Sequence, residues 1–331
     1  MLDIRKKDRE ILYHLDLNVR KPIRKIARDV NLPENTLRYR IKKLEDKQII
    51  KRYYTAINSY NLGFKVLKFY THYVNINSRK QDEIITFFSN LSNTWVVSSK
   101  EGEFDLGVIF WIKNINAFYP IWKKIFSSFA NYLTDSQLFF QCEAFSFRPT
   151  YLINTQTRSE NECFDYTREE KEISIDANDV KILVYLASDA KIPLSKLSQH
   201  LNLSGSSIMN RMNRLKKNNI IQSYRIDMDV AQFGYLHIKT DVFLNNLEDT
   251  AKVIAYFRQC PYVVCIMKSF GYSHIELEFH VKNITHFHQM MIEFMDKNPN
   301  CIRNYKFFQS SKTHKLRWIP EMKNASFEFL S

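Results

Sequence analysis

The chain has 331 residues and a net charge of +13, with a pI near 9.3; that length suits two to three domains, and the positive balance favours a polyanionic partner. Its five cysteines, Cys142, Cys163, Cys260, Cys265 and Cys301, contain no CxxC pair, and its six glycines assemble neither GxGxxG nor GxxxxGK. Zinc ribbons, disulfide frameworks, Rossmann dehydrogenases and P-loop enzymes are thereby set aside. The cysteine usage and a charged N-terminus without an apolar stretch lead us to expect a reducing, cytoplasmic setting. Apolar runs such as residues 106–112 are far shorter than the roughly 20 residues of a membrane span.

An internal repeat organises the chain. Residues 8–64 align on 179–235 without a gap at a shift of 171, matching Asp8 to Asp179, Leu12 to Leu183, Pro22 to Pro193, Arg40 to Arg211, Tyr53 to Tyr224 and Gly63 to Gly234. After a two-residue deletion the register resumes at 169, where Gly102 meets Gly271 and Lys113-Asn114-Ile115 meets Lys282-Asn283-Ile284. Near the end of each copy Phe139-Phe140-Gln141 falls on Phe307-Phe308-Gln309.

At the front of copy one, Ile11, Leu12 and Leu15 mark an amphipathic helix, and Pro22 opens a second whose apolar face is Ile23, Ile26, Ala27 and Val30. Asn31-Leu32-Pro33 breaks it, and Leu37, Ile41 and Leu44 space a third. An extended run over 51–56 follows and reads as a wing. Residues 65–149 give strand, helix, strand, strand, helix, strand, the order of a ferredoxin-like domain. Residues 152–175 are polar and acidic and read as a linker, with an extra strand or helix packed on the first copy as the alternative. The second copy repeats the plan, with helices on Ile182, Leu183 and Leu186, on Leu194, Leu197 and Leu201, and on Ile208, Met212 and Leu215. Its extended run is 222–226, and 236–314 repeats the sheet pattern. The expected architecture is α+β: two winged helix-turn-helix domains (1–60 and 176–232), each followed by a ferredoxin-like βαββαβ domain (61–151 and 233–320), with an acidic linker at 152–175 and a tail at 321–331.

Charge sits on the helix-turn-helix units. Residues 1–55 hold 16 Lys+Arg against 8 Asp+Glu, and residues 176–228 hold 8 against 4, which leaves about +1 for all the rest. Such clustering is the footprint of phosphate binding, so double-stranded DNA is the expected partner. On the third helix of copy one, Asn35, Tyr39 and Lys42 lie opposite the core, flanked by Arg38 and Lys43. Thr36 and Arg52 join them as candidate DNA contacts, and Arg40, nearer the core, is expected on the backbone or in a structural role. In copy two the corresponding candidates are Ser206, Ser207, Asn210, Arg211, Asn213, Arg214 and Lys217.

The stretches LPENTLRYRIKKLEDKQIIKRY and EGEFDLGVIF resemble the Lrp/AsnC (leucine-responsive regulator) family of transcription regulators. The family pattern is a Ser- or Pro-led helix with Arg, Leu and a final Ile, then a Gly-x-Tyr/Phe-Asp turn, matched here by Gly102, Phe104 and Asp105. The likeness covers essentially the whole chain, twice. It implies an amino-acid effector at Gly102, Phe104 and Asp105, with Gly271 as the second-copy counterpart. Two departures stand out: the glycine usual before the last Ile is Gln48 in one copy and Asn219 in the other, and the second turn reads Gly271-Tyr272-Ser273-His274, without the Asp. Because single-copy relatives pair their sheets between chains, the duplication implies an intrachain pseudo-dimer, with higher homo-oligomers open.

Other chemistry has less support. His286-x-His288 has no second ligand pair at metal spacing, so neither metal nor cofactor is expected. Glu103 and Asp105 make no general-acid pair. Siroheme decarboxylases also resemble this family and carry a His-Asn-Tyr stretch before the second strand of the sheet domain; this chain has Trp95-Val96-Val97-Ser98-Ser99 there. The expectation is a regulator and not an enzyme, with the decarboxylase and a module that no longer binds DNA as alternatives.

Overall fold

The computed structural model describes residues 5–155, 158, 163–167 and 173–321. Copy one runs α1 (Lys6–Leu17), α2 (Ile23–Asp29), α3 (Glu34–Asp46), β1 (Ile50–Ile57), β2 (Lys65–Tyr73), α4 (Ser78–Asn90), β3 (Thr94–Gly102), β4 (Leu106–Ile112), α5 (Ile115–Phe129) and β5 (Leu133–Phe147). A strand β6 (Cys163–Tyr166) follows. Copy two runs α6 (Ala177–Ser188), α7 (Leu194–Leu201), α8 (Gly205–Lys217), β7 (Ile221–Met228), β8 (Leu236–Leu244), α9 (Thr250–Gln259), β9 (Val263–Phe270), β10 (Ile275–Val281), α10 (Ile284–Lys297) and β11 (Ile302–Leu316).

The helical heads form as the spacing predicts. Leu37, Ile41 and Leu44 of α3, and Ile208, Met212 and Leu215 of α8, are buried, each worth about 1.5–3 kcal/mol of transfer free energy. Asn31 and Asn202 turn the chain between second and third helices with φ of 51° and 53°. Gln48 and Asn219, where the resembled family has glycine, are also left-handed, with φ of 57° and 50°.

The two heads are not separate bodies. The extended runs expected as wings take each other as partners: β1 pairs antiparallel with β7 about the Tyr54–Arg225 pair. The Val19 N–H donates to the Tyr224 carbonyl (2.9 Å), and the repeat-equivalent Ala190 N–H donates to Tyr53 (3.1 Å). Each head's first helix thus packs on the other copy's strand, and one hydrophobic core runs through both, from Leu12 and Leu37 to Leu183 and Leu215.

The sheet domains merge in the same way. Within each copy the strand order is that of a ferredoxin-like domain, β5-β2-β4-β3 and β11-β8-β10-β9. The fourth strands, β5 and β11, are each 15 residues long. Their first halves pair with β2 and β8, and their second halves cross to β9 and β3 of the other copy. Eight strands therefore close on themselves through the β2–β5 pairing. Alternation along the strands turns Leu67, Phe69, Val108 and Phe110 toward α4 and α5, and Ile238, Leu277 and Phe279 toward α9 and α10. The opposite faces meet in a shared interior.

Two sequence expectations need correction. The segment 152–175 is not a plain linker, because β6 adds to β5 in antiparallel register; residues 156–157, 159–162 and 168–172 lie outside the described residues, as does most of the 321–331 tail. The Phe-Phe-Gln match was slipped by one residue. Gly102 packs on Phe308 and Gly271 on Phe139, so the equivalence is Phe139 with Phe308 at the same shift of 169. Two adjacent phenylalanines in each copy made the slip invisible to residue matching.

Candidate nucleic-acid interface

The third helices present the candidate residues on their outer faces. On α3, Asn35, Arg38, Tyr39, Lys42 and Lys43 are exposed and Thr36 is half-buried. Tyr39 is 67 % exposed on this face. Arg38 is paired one turn back with Glu34 (2.6 Å), in the solvent. Lys42 and Lys43 have no ion pair among the described residues. On α8, Ser206, Asn210, Asn213 and Lys217 are exposed and Ser207 is half-buried. Ser204 caps this helix by accepting from the Ser207 N–H (3.2 Å). Ser204, Ser206, Ser207, Asn210, Arg211 and Arg214 line an open polar depression of about 440 Å³.

Four of the five arginine candidates, Arg40, Arg52, Arg211 and Arg214, are held by carboxylates on other elements of the protein. Arg40 donates to Asp8 (2.8 Å), and the repeat-equivalent Arg211 donates to Asp179 (2.9 Å) and Asp176 (2.6 Å). Each bond braces the third helix against the first. Arg214 also bonds Asp179, whose side chain is wholly buried. Arg52 pairs with Asp227 on the neighbouring strand (2.9 Å). The reason for the last is the β1–β7 pairing, which sets Arg52 directly opposite Asp227. The repeated Asp and Arg are visible in the sequence, but their bond exists only once the third helix packs on the first.

The turn between β3 and β4 is tightly built. Gly102 has φ of 115°, and a Cβ there would lie 3.1 Å from the Phe307 carbonyl; Gly271 has φ of 121°, and a Cβ there would lie 3.2 Å from that of Leu138. Phe104 is buried among Tyr70, Phe139 and Phe308. The Asp105 carboxylate accepts from the Tyr73 N–H (2.8 Å). Copy two, which lacks this Asp, keeps the bond: His274 Nδ1 accepts from the Leu244 N–H (2.8 Å), at equivalent positions. A hydrogen bond preserved across that change of chemistry belongs to the turn's architecture.

His286 stands edge-on to Tyr262 (4.5 Å) and His288 to Phe307 (5.4 Å). No group of three or more His, Cys, Asp or Glu among the described residues is placed to hold a metal, and no helix among them is long and apolar enough to cross a membrane. Trp95, where a decarboxylase-like His-Asn-Tyr stretch would fall, stacks on Trp111 (5.2 Å).

Comparison with known proteins agrees with this geometry. A family model described as winged helix-turn-helix DNA-binding matches residues 4–51 and 175–222, at the same offset as the internal repeat. The HTH-type transcriptional regulator Ptr1 of Methanocaldococcus jannaschii is 34 % identical over 110 residues, 33 % of this chain and 73 % of the relative. The proline dehydrogenase transcriptional activator of Rhodobacter capsulatus is 27 % identical over 130 residues, 38 % of this chain and 84 % of the relative. Among solved structures, the siroheme decarboxylase NirDL has a TM-score of 0.62 and covers 97 % of this chain and 96 % of its own at 12 % identity, a likeness of fold alone.

Proposed function

Since the chain belongs to the Lrp/AsnC family of DNA-binding transcription regulators, in tandem-duplicated form, we propose that α3 and α8 are its two reading elements, joined in one polypeptide. Asn35, Thr36, Tyr39 and Lys42, with Arg38 and Lys43 beside them, would meet base edges and phosphates in one major groove. Ser206, Ser207, Asn210 and Asn213, with Arg214 and Lys217 at the margin, would do so in the next. Arg40, Arg52 and Arg211 would act by holding the heads in shape. The observation that carries this reading is the single core through both heads, which fixes one helix relative to the other. Half-sites would then lie about one helical turn, 10–10.5 bp, or a multiple apart.

Copy one would supply most of the phosphate attraction, and copy two mostly neutral hydrogen-bonding groups. Lys42→Ala or Lys43→Ala should weaken binding to every duplex and flatten the dependence of log affinity on log salt by about 0.9. Asn210→Ala should instead relax base preference, since an Asn can read adenine through two hydrogen bonds. Affinity measured at several salt concentrations on one selected duplex tests this. Equal slopes for Lys42→Ala and wild type would contradict it.

A small effector, an amino acid by family resemblance, would dock at the Gly102–Asp105 turn and its Gly271 counterpart. Its ammonium would compete with the turn's own hydrogen bond for Asp105. Thermal-shift screening of amino acids on wild type and Asp105→Ala decides between effector and structural turn. The family points to a regulator acting in the cytoplasm and not to an enzyme. The rival decarboxylase reading rests on fold likeness, and absence of an absorption change on adding an iron porphyrin carboxylate would remove it.

A further inference from the structure

The contacts between the two copies are not symmetric. Asp16 on α1 and Arg225 on β7 form a buried ion pair across the heads, with contacts of 2.6 and 3.1 Å. The residues related to them by the repeat are Ala187 and Tyr54. Lys68 on β2 and Glu276 on β10 form a second buried pair across the shared interior (2.7 and 2.8 Å); their counterparts are Lys239 and Gly107. At the margins, Lys191 pairs with Glu45 and Lys268 with Glu143.

These pairs decide which faces can meet. If two first copies faced each other, as two chains could arrange them, Asp16 would lie against Tyr54 and Lys68 against Gly107, each a buried charge without a partner. If two second copies did so, Glu276 would still meet a lysine, Lys239, but Arg225 would lie buried against Ala187, and at the partly exposed margins Lys191 would lie against Lys216 and Lys268 against Lys312. Unpaired buried charge and like-charge contacts both oppose self-pairing. Copy one therefore faces copy two, and every two-headed unit carries one α3 and one α8. Those helices present unlike residues, Asn35, Tyr39 and Lys42 against Ser206, Asn210 and Asn213. A symmetric homodimer reads a palindrome because its heads are identical; this unit has no identical heads to match.

We propose that the target of this protein is an asymmetric duplex: a non-palindromic site of two unlike half-sites, bound by one chain in a single orientation, with α3 on one half and α8 on the other. The inference rests on the DNA-reading function of these helices and adds the form of the target. The experiment selects duplexes from random DNA with the full chain, then trims the winner to the shortest duplex that binds one chain, judged by mass photometry. Two palindromes are built from it, one from each half-site doubled. Both should bind about tenfold or more weakly than the selected duplex, since each wrong base is penalised separately. Hydroxyl-radical footprints of Lys42→Ala and Asn210→Ala should lose protection in opposite halves. A palindrome bound as tightly as the selected duplex, or footprints weakened in both halves by either variant, overturns the asymmetric target while leaving DNA reading intact. Failure to enrich any duplex overturns both.

Discussion

Asp241, on β8, faces the interior shared by the two sheets and is 1 % exposed; Ser273 donates to one carboxyl oxygen (3.4 Å), and the other has no partner. Burial, and then the charge of Glu276, push this carboxyl up to about 8, against the opposing pull of Lys68 and Lys100. A group whose pKa is raised on folding gives stability that is complete below its unfolded value, about 4, and is lost as pH rises through the folded value. Lys100 works in the opposite sense, because burial holds its ammonium below the usual range, so the prediction concerns a difference. Asp241→Asn cannot ionise in either state. Its stability relative to wild type should rise by about 1.4 kcal/mol per pH unit between pH 6 and 8 and level off above. Urea unfolding at pH 6, 7 and 8 measures it, and a pH-independent difference would contradict the assignment. None of this was legible in the sequence. Lys239, Asp241, Glu276 and Glu278 alternate with apolar residues as solvent-facing residues do, and only the other copy's sheet turns that face inward.

At the scale of elements, most of the fold was legible because helices and strands declare themselves locally. The i, i+4, i+7 pattern of Leu37, Ile41 and Leu44 needs no distant partner, and neither does the alternation in β4. What escaped was pairing between distant segments. Strands β1 and β7 are about half a chain apart in sequence, so their runs looked like independent wings, and β6 is four residues in an acidic stretch. The ends of the third helices carry a prediction of their own. Gln48 and Asn219 both adopt φ near 50–57°, where a Cβ is disfavoured and glycine or asparagine is at ease. Gln48→Gly should raise stability by about 0.5–1 kcal/mol, and Asn219→Gly should change it little. Thermal unfolding of the two variants side by side checks this; equal gains would show that the helix-end conformation is not what limits either position.

At the scale of the molecule, the duplication has produced one interlocked body, and the Arg225 guanidinium sits at its junction. It bonds Asp16 on α1, the Ser146 hydroxyl (2.7 Å) and the Phe147 carbonyl (3.0 Å), joining one head, the other copy's strand and the sheet domain below. Removing it leaves Asp16 buried without its counter-charge, a loss of about 3–5 kcal/mol. Arg52 offers the control: its pair with Asp227 also crosses the copies, but the Arg52 side chain is 42 % exposed, so Arg52→Ala should cost less than about 1 kcal/mol. The shared core makes a further demand. Because Leu12, Leu37, Leu183 and Leu215 belong to one cluster, the heads should open together and not in turn. Hydrogen exchange on Arg225→Ala should show protection falling by the same factor in α1 to α3 and in α6 to α8. If only the first head lost protection, the two heads would be neighbours in contact, their recognition helices would be free to change separation, and the fixed half-site spacing would lose its physical basis.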